Sequence, residues 1–210
     1  MQNRSIGKIA RIGILSASLF VGPQIAVFGQ SLIWLGTLGG SESAALDVSA
    51  DGTVVVGWAR NSAGQKRAFR WCCQSGLQDL GTLGESESWA NGVSADGRVV
   101  VGTAKNSSNK DTAFRWLAST GMQSLGLSSI VSAAADVSAD GSVIVGNNGY
   151  KAFRWENGVV QDIFYTAYCR GSAIAMGSKA YGTSLDGRRV VGWSNRPYDS
   201  DCPLAECAFS

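Results

Sequence analysis

The chain of 210 residues contains no histidine. That absence excludes Ser-His-Asp and Cys-His nucleophile systems and every histidine-bearing zinc site. Positive charge is also scarce once its location is considered. Three of the 18 basic residues, Arg4, Lys8 and Arg11, fall within the first 29 positions, leaving 15 bases against 16 acids. There is no basic stripe, so nucleic-acid binding has no electrostatic footprint, and the scattered charges read as a solvated surface. Helical periodicity is missing: no window between residues 31 and 210 keeps apolar residues at i, i+3, i+4 and i+7 with caps. The apolar run Ile12–Gly22 has eleven residues, short of the roughly 20 that cross a bilayer.

What is present is a repeat. Val48-Ser-Ala-Asp-Gly-Thr-Val-Val-Val-Gly57 recurs as Val93 to Gly102, as Val137 to Gly146 and, in altered form, as Thr183 to Gly192. An Ala-Phe-Arg-Trp follows at Ala68–Trp71, Ala113–Trp116 and Ala152–Trp155, and the chain ends on Ala208-Phe209-Ser210. The motif serines Ser49, Ser94, Ser138 and Ser184 step by 45, 44 and 46 residues. A third mark, Leu35-Gly-Thr-Leu-Gly39, returns as Leu80–Gly84 and weakly as Leu125-Gly126. A fixed period of this size signals a solenoid, a propeller or an array.

Each unit reads as strands. Asp-Gly between apolar residues is a strong hairpin signal, because Gly takes positive φ freely and Asp tolerates it. Val54-Val-Val56 suits a strand buried on both faces. Phe69 and Trp71 lie two apart, so a strand places both on one face. Ala44–Val48 and Leu77–Leu80 supply two more strands around a turn at Gln74–Gly76. About four strands per unit is the content of a propeller blade. The fold class is therefore all-β: a propeller-like array of about four four-stranded repeats, partial or small, with a β-solenoid as the alternative.

Taken in order, residues 1–29 read as a secretory signal peptide. They combine a basic start, a short apolar core, Pro23, and a small-residue site at Val27-Phe-Gly29. Cleavage is expected between Gly29 and Gln30; the alternative is an uncleaved anchor reaching Phe28. Residues 30–210 then form the repeat domain, with units around 40–84, 85–127, 128–165 and 175–210, the last incomplete. The phase is offset. Leu32–Leu38 resembles the last strand of a unit, and the chain ends inside a third strand. Either Ser31–Leu38 pairs with the unit of Val190–Phe209 and closes a small ring, or the chain is the front of a longer one. The second is favoured, because an open edge invites association. The loop after Gly146 is short, six residues to Ala152 against eleven in the first two units. The longest insert at that position is Ser194–Glu206. Unequal loops on one rim are where repeat proteins place binding differences.

The chemistry-bearing residues have structural readings. Of the five cysteines, Cys72 and Cys73 are adjacent, Cys169 stands apart, and Cys202 and Cys207 flank a Pro-containing loop. Their spacing matches no metal pattern; Cys202 and Cys207 are the candidate disulfide, and the odd count leaves at least one other thiol. The recurring Asp (Asp51, Asp96, Asp140, Asp186) offers one carboxylate per turn, with Asp47 or Asp136 upstream in two units, too few oxygens for calcium. The recurring Arg (Arg70, Arg115, Arg154) is expected to pair with the Asp of its own unit. Trp71, Trp116 and Trp155 share one repeat column and are expected in the core. Trp58, Trp89 and Trp193 are the candidates for a sugar-binding surface, with Trp89 placed just before a turn.

Val-Ser-Ala-Asp-Gly-x-Val-Val-Val-Gly, Arg67-Ala-Phe-Arg-Trp71 and Gly76-Leu-Gln-Asp-Leu-Gly-Thr-Leu-Gly84 together resemble the bacterial extracellular repeat of the HAF family. The resemblance covers nearly all of residues 33–209. The family is named for His-Ala-Phe, and this chain carries Arg67, Thr112, Lys151 and Cys207 at the histidine column. The resemblance implies an exported or surface-associated protein, in some members with the repeats ahead of an autotransporter β-barrel; the expected location is extracellular, at the cell surface or outer membrane, or in the periplasm. It implies no activity.

The expected function is a non-catalytic exported module for binding or display, with an unknown surface ligand or protein as partner, no cofactor, and no membrane span after residue 29. One alternative is a propeller-type carbohydrate-active enzyme, which needs two acids about 5–10 Å apart drawn from residues such as Glu85, Glu87 and Asp199. The other is a truncated piece of a longer surface protein or autotransporter passenger.

Overall fold

The computed structural model describes residues 32–163, 166–169, 172–175 and 177–194. The signal segment, the Gly29–Gln30 junction, Asp199, Cys202, Cys207 and the end of the chain lie outside these. All regular structure among the described residues is strand. The first sheet contains β1 (Gly39–Val48), β2 (Val54–Asn61), β3 (Lys66–Cys72) and β4 (Gly76–Asp79) in that order. The second contains β5 (Gly84–Val93), β6 (Val100–Asn106), β7 (Asp111–Leu117) and β8 (Gly121–Ser124). The third contains β9 (Ser132–Val137), β10 (Val143–Asn148), β11 (Lys151–Glu156) and β12 (Val159–Ile163). A hairpin of β13 (Thr166–Cys169) and β14 (Ser172–Ala175) follows, then a two-stranded sheet of β15 (Ser178–Thr183) and β16 (Val190–Ser194).

Among the described residues, strand ladders pair antiparallel neighbours of one repeat and join no strands of two repeats. Repeats meet face to face instead. That is a β-propeller-like array, not a solenoid, in which strands of successive coils would pair. The core consequently lies between sheets. Val54, Val56, Ala68 and Leu80 of the first sheet and its connector pack on Ala90, Val93, Val100, Phe114 and Trp116 of the second. Val99, Val101, Ala113 and Leu125 meet Ala134, Val137, Ile144 and Phe153. Val143, Val145 and Ala152 meet Ala180. The consecutive valines are explained by this: Val100 faces back to the first sheet and Val101 forward to the third. Phe114 and Trp116 share a face, as period-two spacing requires.

The glycine ending Val-Val-Val-Gly is set by crowding. A Cβ on Gly102 would sit 2.0 Å from the Trp89 carbonyl oxygen, and Gly57, Gly146 and Gly192 face the same clash. The first strand of each repeat carries a register irregularity near this point, a β-bulge that bends it.

Two expectations change. Leu32–Leu38 is not a strand: residues 32–37 are coil, and Leu38 makes a single bridge to Asn61. Gly36, inside the segment, takes φ of 89°, outside the extended region. The segment is held by its own sheet, with the Ser43 hydroxyl donating to the Gly36 carbonyl at 2.8 Å, so among the described residues it does not pair with the Val190 unit. Trp89 does not precede a turn; it lies inside β5, opposite Thr103.

Candidate functional site

The Val-Ser-Ala-Asp-Gly loop spans five residues, 49–53, between β1 and β2. Gly52 takes the positive φ, 72°, while Asp51 serves as an acceptor. Its carboxylate receives the Ser49 hydroxyl at 2.7 Å and the Thr53 amide at 3.0 Å, and the Ser49 oxygen receives the Val54 amide at 3.0 Å. Asp96, Asp140 and Asp186 repeat this arrangement. The serine hydroxyl is the main reason all four carboxyls titrate below the usual aspartate range, with Asp140 lowered to about 2.

Successive loops are joined to one another. The Ala50 amide donates to the Ala95 carbonyl at 3.2 Å, Ala95 to Ala139 at 3.0 Å, and Ala139 to Leu185 at 2.9 Å. Asp47 adds a link by accepting the Val93 amide at 2.8 Å, and Asp136 does the same for Thr183 at 2.8 Å.

The recurring arginine departs from expectation. Arg70 donates from Nε to the Gly97 carbonyl at 3.0 Å, and Arg154 to the Gly187 carbonyl at 3.4 Å. Each reaches the Asp-Gly loop of the following repeat, not the Asp of its own. The third strand borders the next repeat, and the aspartate oxygens already hold their own loop. Arg115 lies with its guanidinium 5.8 Å from the Trp155 ring centre, and its Nε is buried without a hydrogen bond.

Sequence reasoning missed a serine column. Ser43, Ser88, Ser132 and Ser178 each stand six residues before a motif serine. Ser88 is fully buried. It accepts the Ala68 amide of the preceding sheet at 2.9 Å and donates to the Gly81 carbonyl at 2.6 Å. Ser132 accepts from Ala113 at 3.0 Å and Ser178 from Ala152 at 2.8 Å. The constant six-residue offset was the available signal. A second missed column, Asn61 and Asn106, ties the loop after the second strand through side-chain oxygens.

The remaining candidates lie apart from these joints. Trp116 is buried, and Trp155 packs at the edge of the second interface. Trp71 is half-buried. Trp58 is half-buried under the Lys66 ammonium, 4.4 Å from its ring centre, while Trp34 and Trp193 are exposed. Glu85 and Glu87 stand two apart on β5, the first exposed and the second half-buried. Cys72 and Cys73 are free thiols, and Cys72 Sγ is 2.9 Å from the Ser75 hydroxyl, which brings its pKa down to about 7. Cys73 falls just beyond β3, in the following turn, and is exposed. Among the described residues no three Cys, Asp or Glu side chains converge on a point that would hold a metal ion. An open groove of about 490 Å³ lies along the β11–β12 hairpin, lined by Arg154, Glu156, Asn157, Val159, Val160 and Gln161. Its one charge pair, Arg154 to Glu156 at 2.7 Å, is already closed.

The sequence matches no family model and no curated protein. Among solved structures, a putative TolB from Agrobacterium tumefaciens is similar with a TM-score of 0.54 at 18% identity, covering 73% of this chain and 55% of that one. TolB from Acinetobacter baumannii gives a TM-score of 0.45 at 16% identity, covering 74% and 43%. The chain thus spans about half the length of the first of these. The first likeness agrees with the propeller-like fold read from the sheets.

Proposed function

We propose that this chain is an exported, non-catalytic repeat module that binds or is displayed at the bacterial cell envelope. The observation that carries the reading is the use of the recurring polar side chains. The motif serines and aspartates hold the loops, the second serine column and two of the three arginines cross to a neighbouring sheet. A repeat built this way is scaffold, and variation is left to the loops after the second strands and to the exposed aromatics. Residues 1–29 support export, and the resemblance to HAF repeats supports a surface or periplasmic setting.

The test is expression of the full chain with a C-terminal tag in a bacterial host, followed by fractionation and N-terminal sequencing. A protein beginning at Gln30 and recovered outside the cytoplasm supports the reading. A chain beginning at Met1 and retained in the cytoplasm overturns it. A glycan and envelope-protein binding screen on the exported material then addresses the ligand, with Trp58→Ala and Trp193→Ala as the first variants.

A further inference from the structure

The turn between β3 and β4 carries two adjacent cysteines that its shape does not require. Cys72 ends β3 opposite Gly76, the Ser75 amide donates to the Cys72 carbonyl at 3.2 Å, and Gly76 takes φ of 69°. The second repeat makes the same turn without sulfur. Leu117 stands opposite Gly121, the Thr120 amide donates to the Leu117 carbonyl at 3.3 Å, and Gly121 takes φ of 70°. Cys72 fills the place of Leu117, against the core between sheets, and Cys73 fills the exposed place of Ala118. Packing asks for an apolar side chain at the first position and for nothing particular at the second. The thiol of Cys73 therefore has no structural use.

The pair is suited to holding one atom between two sulfurs. Both thiols are free. Cys73 lies beyond the end of β3, so strand alternation does not oblige it to point away from Cys72. Cys72 Sγ is 2.9 Å from the Ser75 hydroxyl, while Cys73 is exposed and can change rotamer. A direct disulfide is disfavoured, because neighbouring Cα atoms are about 3.8 Å apart and ordinary disulfides span about 4.4–6.8 Å. An inserted atom lengthens the bridge: two bonds, each about 2.3 Å for a zinc–sulfur pair, replace one sulfur–sulfur bond of about 2.0 Å. Zinc itself takes four ligands, and among the described residues no Asp, Glu or further Cys joins the pair. Arg70 lies two residues before Cys72, on the same face of β3. Its fixed positive charge favours a neutral adduct over a bound cation.

We propose that Cys72 and Cys73 form a two-sulfur site for a trivalent arsenical. With phenylarsine oxide as the probe, the arsenic–oxygen bond and two S–H bonds break, and two As–S bonds form. The oxygen leaves with both protons as water. Arsenic stays trivalent, neither sulfur is oxidised, and the adduct is neutral. The second sulfur closes the ring within the chain, so the adduct should outlast an added monothiol and yield to an added dithiol. The site stands on one turn of the first repeat and does not depend on export.

Protection from alkylation on the reduced, folded full chain tests this. The tryptic peptide Trp71–Arg98 contains both cysteines and no other. A small excess of phenylarsine oxide should lower iodoacetamide labelling of this peptide about tenfold or more. A wash with mercaptoethanol should leave the protection in place, and a wash with dimercaptopropanol should remove it. Cys73→Ser alters an exposed position and should melt like wild type by circular dichroism, yet its Cys72 should label equally with and without the arsenical. Cys72→Ser should behave in the same way at Cys73. Wild-type labelling that the arsenical leaves unchanged overturns the proposal. So does protection that survives in either single variant, or a wild-type peptide that fails to label without the arsenical.

Discussion

Asp47 Oδ2 accepts a 2.8 Å hydrogen bond from the amide of Val93, one full repeat later, while its Oδ1 accepts the amide of Val48 at 2.8 Å. One carboxylate thus holds the end of its own strand and the equivalent point of the next sheet. Asp47→Ala should cost about 2–3 kcal/mol, since a charged acceptor is lost and the buried Val93 amide is left without a partner. Glu42→Ala, which breaks an ion pair to Arg60 at the exposed surface, should change stability little. Urea melts that shift the midpoint strongly for Asp47→Ala and weakly for Glu42→Ala would agree; equal shifts would not.

Gly102 and Gly64 separate two reasons for glycine. Gly102 faces the Trp89 carbonyl, with no room for a Cβ, whereas Gly64 has φ +77° and open space around it. Gly64→Ala should cost about 1–2 kcal/mol from its backbone conformation alone. Gly102→Ala must push two strands apart and should cost more than about 3 kcal/mol or prevent folding. Thermal melts of the two variants decide between crowding and conformation.

Much of this fold is legible in the sequence, and the limits have physical causes. The period, the strand content and the two-sided burial of the valine runs follow from local pattern. Partners across a joint do not. Arg70 gives no local sign that it will reach Gly97, because the next repeat is brought there only by sheet packing. The Leu-Gly-Thr-Leu-Gly mark reads as strand from its leucines, but its glycines adopt positive φ and make it a connector, as at Gly81 with φ 86°. The Ser88 column escapes notice because serine is common and its role appears only when Ala68 lies opposite. Of the three tryptophans that the repeat column places in the core, Trp116 is buried, whereas Trp71 and Trp155 are half-buried. The exposure of Val48 needed the structure, since Val48 and Val93 look identical in sequence.

Acid should weaken the loops. Asp140 falls from 3.8 to about 2, chiefly because the Ser138 hydroxyl donates to it, with the amide and hydroxyl of Ser142 adding to the effect. A carboxyl lowered on folding contributes stability that is fully present above its unfolded pKa. That contribution is lost as pH falls from about 4 toward about 2, and the other three loop aspartates shift the same way. Ser142→Ala should therefore be less stable than wild type at neutral pH, with the gap closing below about pH 2. Chemical denaturation across this range reads the difference directly; a gap that persists in strong acid would contradict the assignment.

Cys72 should react as a partly ionised thiol near neutrality. Its pKa is lowered to about 7, first by the Ser75 hydroxyl and then by the Ser75 amide. Alkylation of the Cys72 peptide, followed by mass spectrometry, should rise with a midpoint near pH 7, and Ser75→Ala should move that midpoint upward. An unchanged midpoint in the variant would remove Ser75 as the cause.

The second serine column joins one repeat to the next, and Ser88 against Ser43 tests this most directly. Both hydroxyls donate to the connector glycine before them, at 2.6 Å and 2.8 Å. Only Ser88 also receives an amide from a preceding sheet, that of Ala68. Equilibrium unfolding of the two alanine variants should show Ser88→Ala losing about 2–3 kcal/mol and Ser43→Ala losing about 1 kcal/mol or less. Equal losses would mean that the serine column serves its own loop alone and that the joints are held by apolar packing.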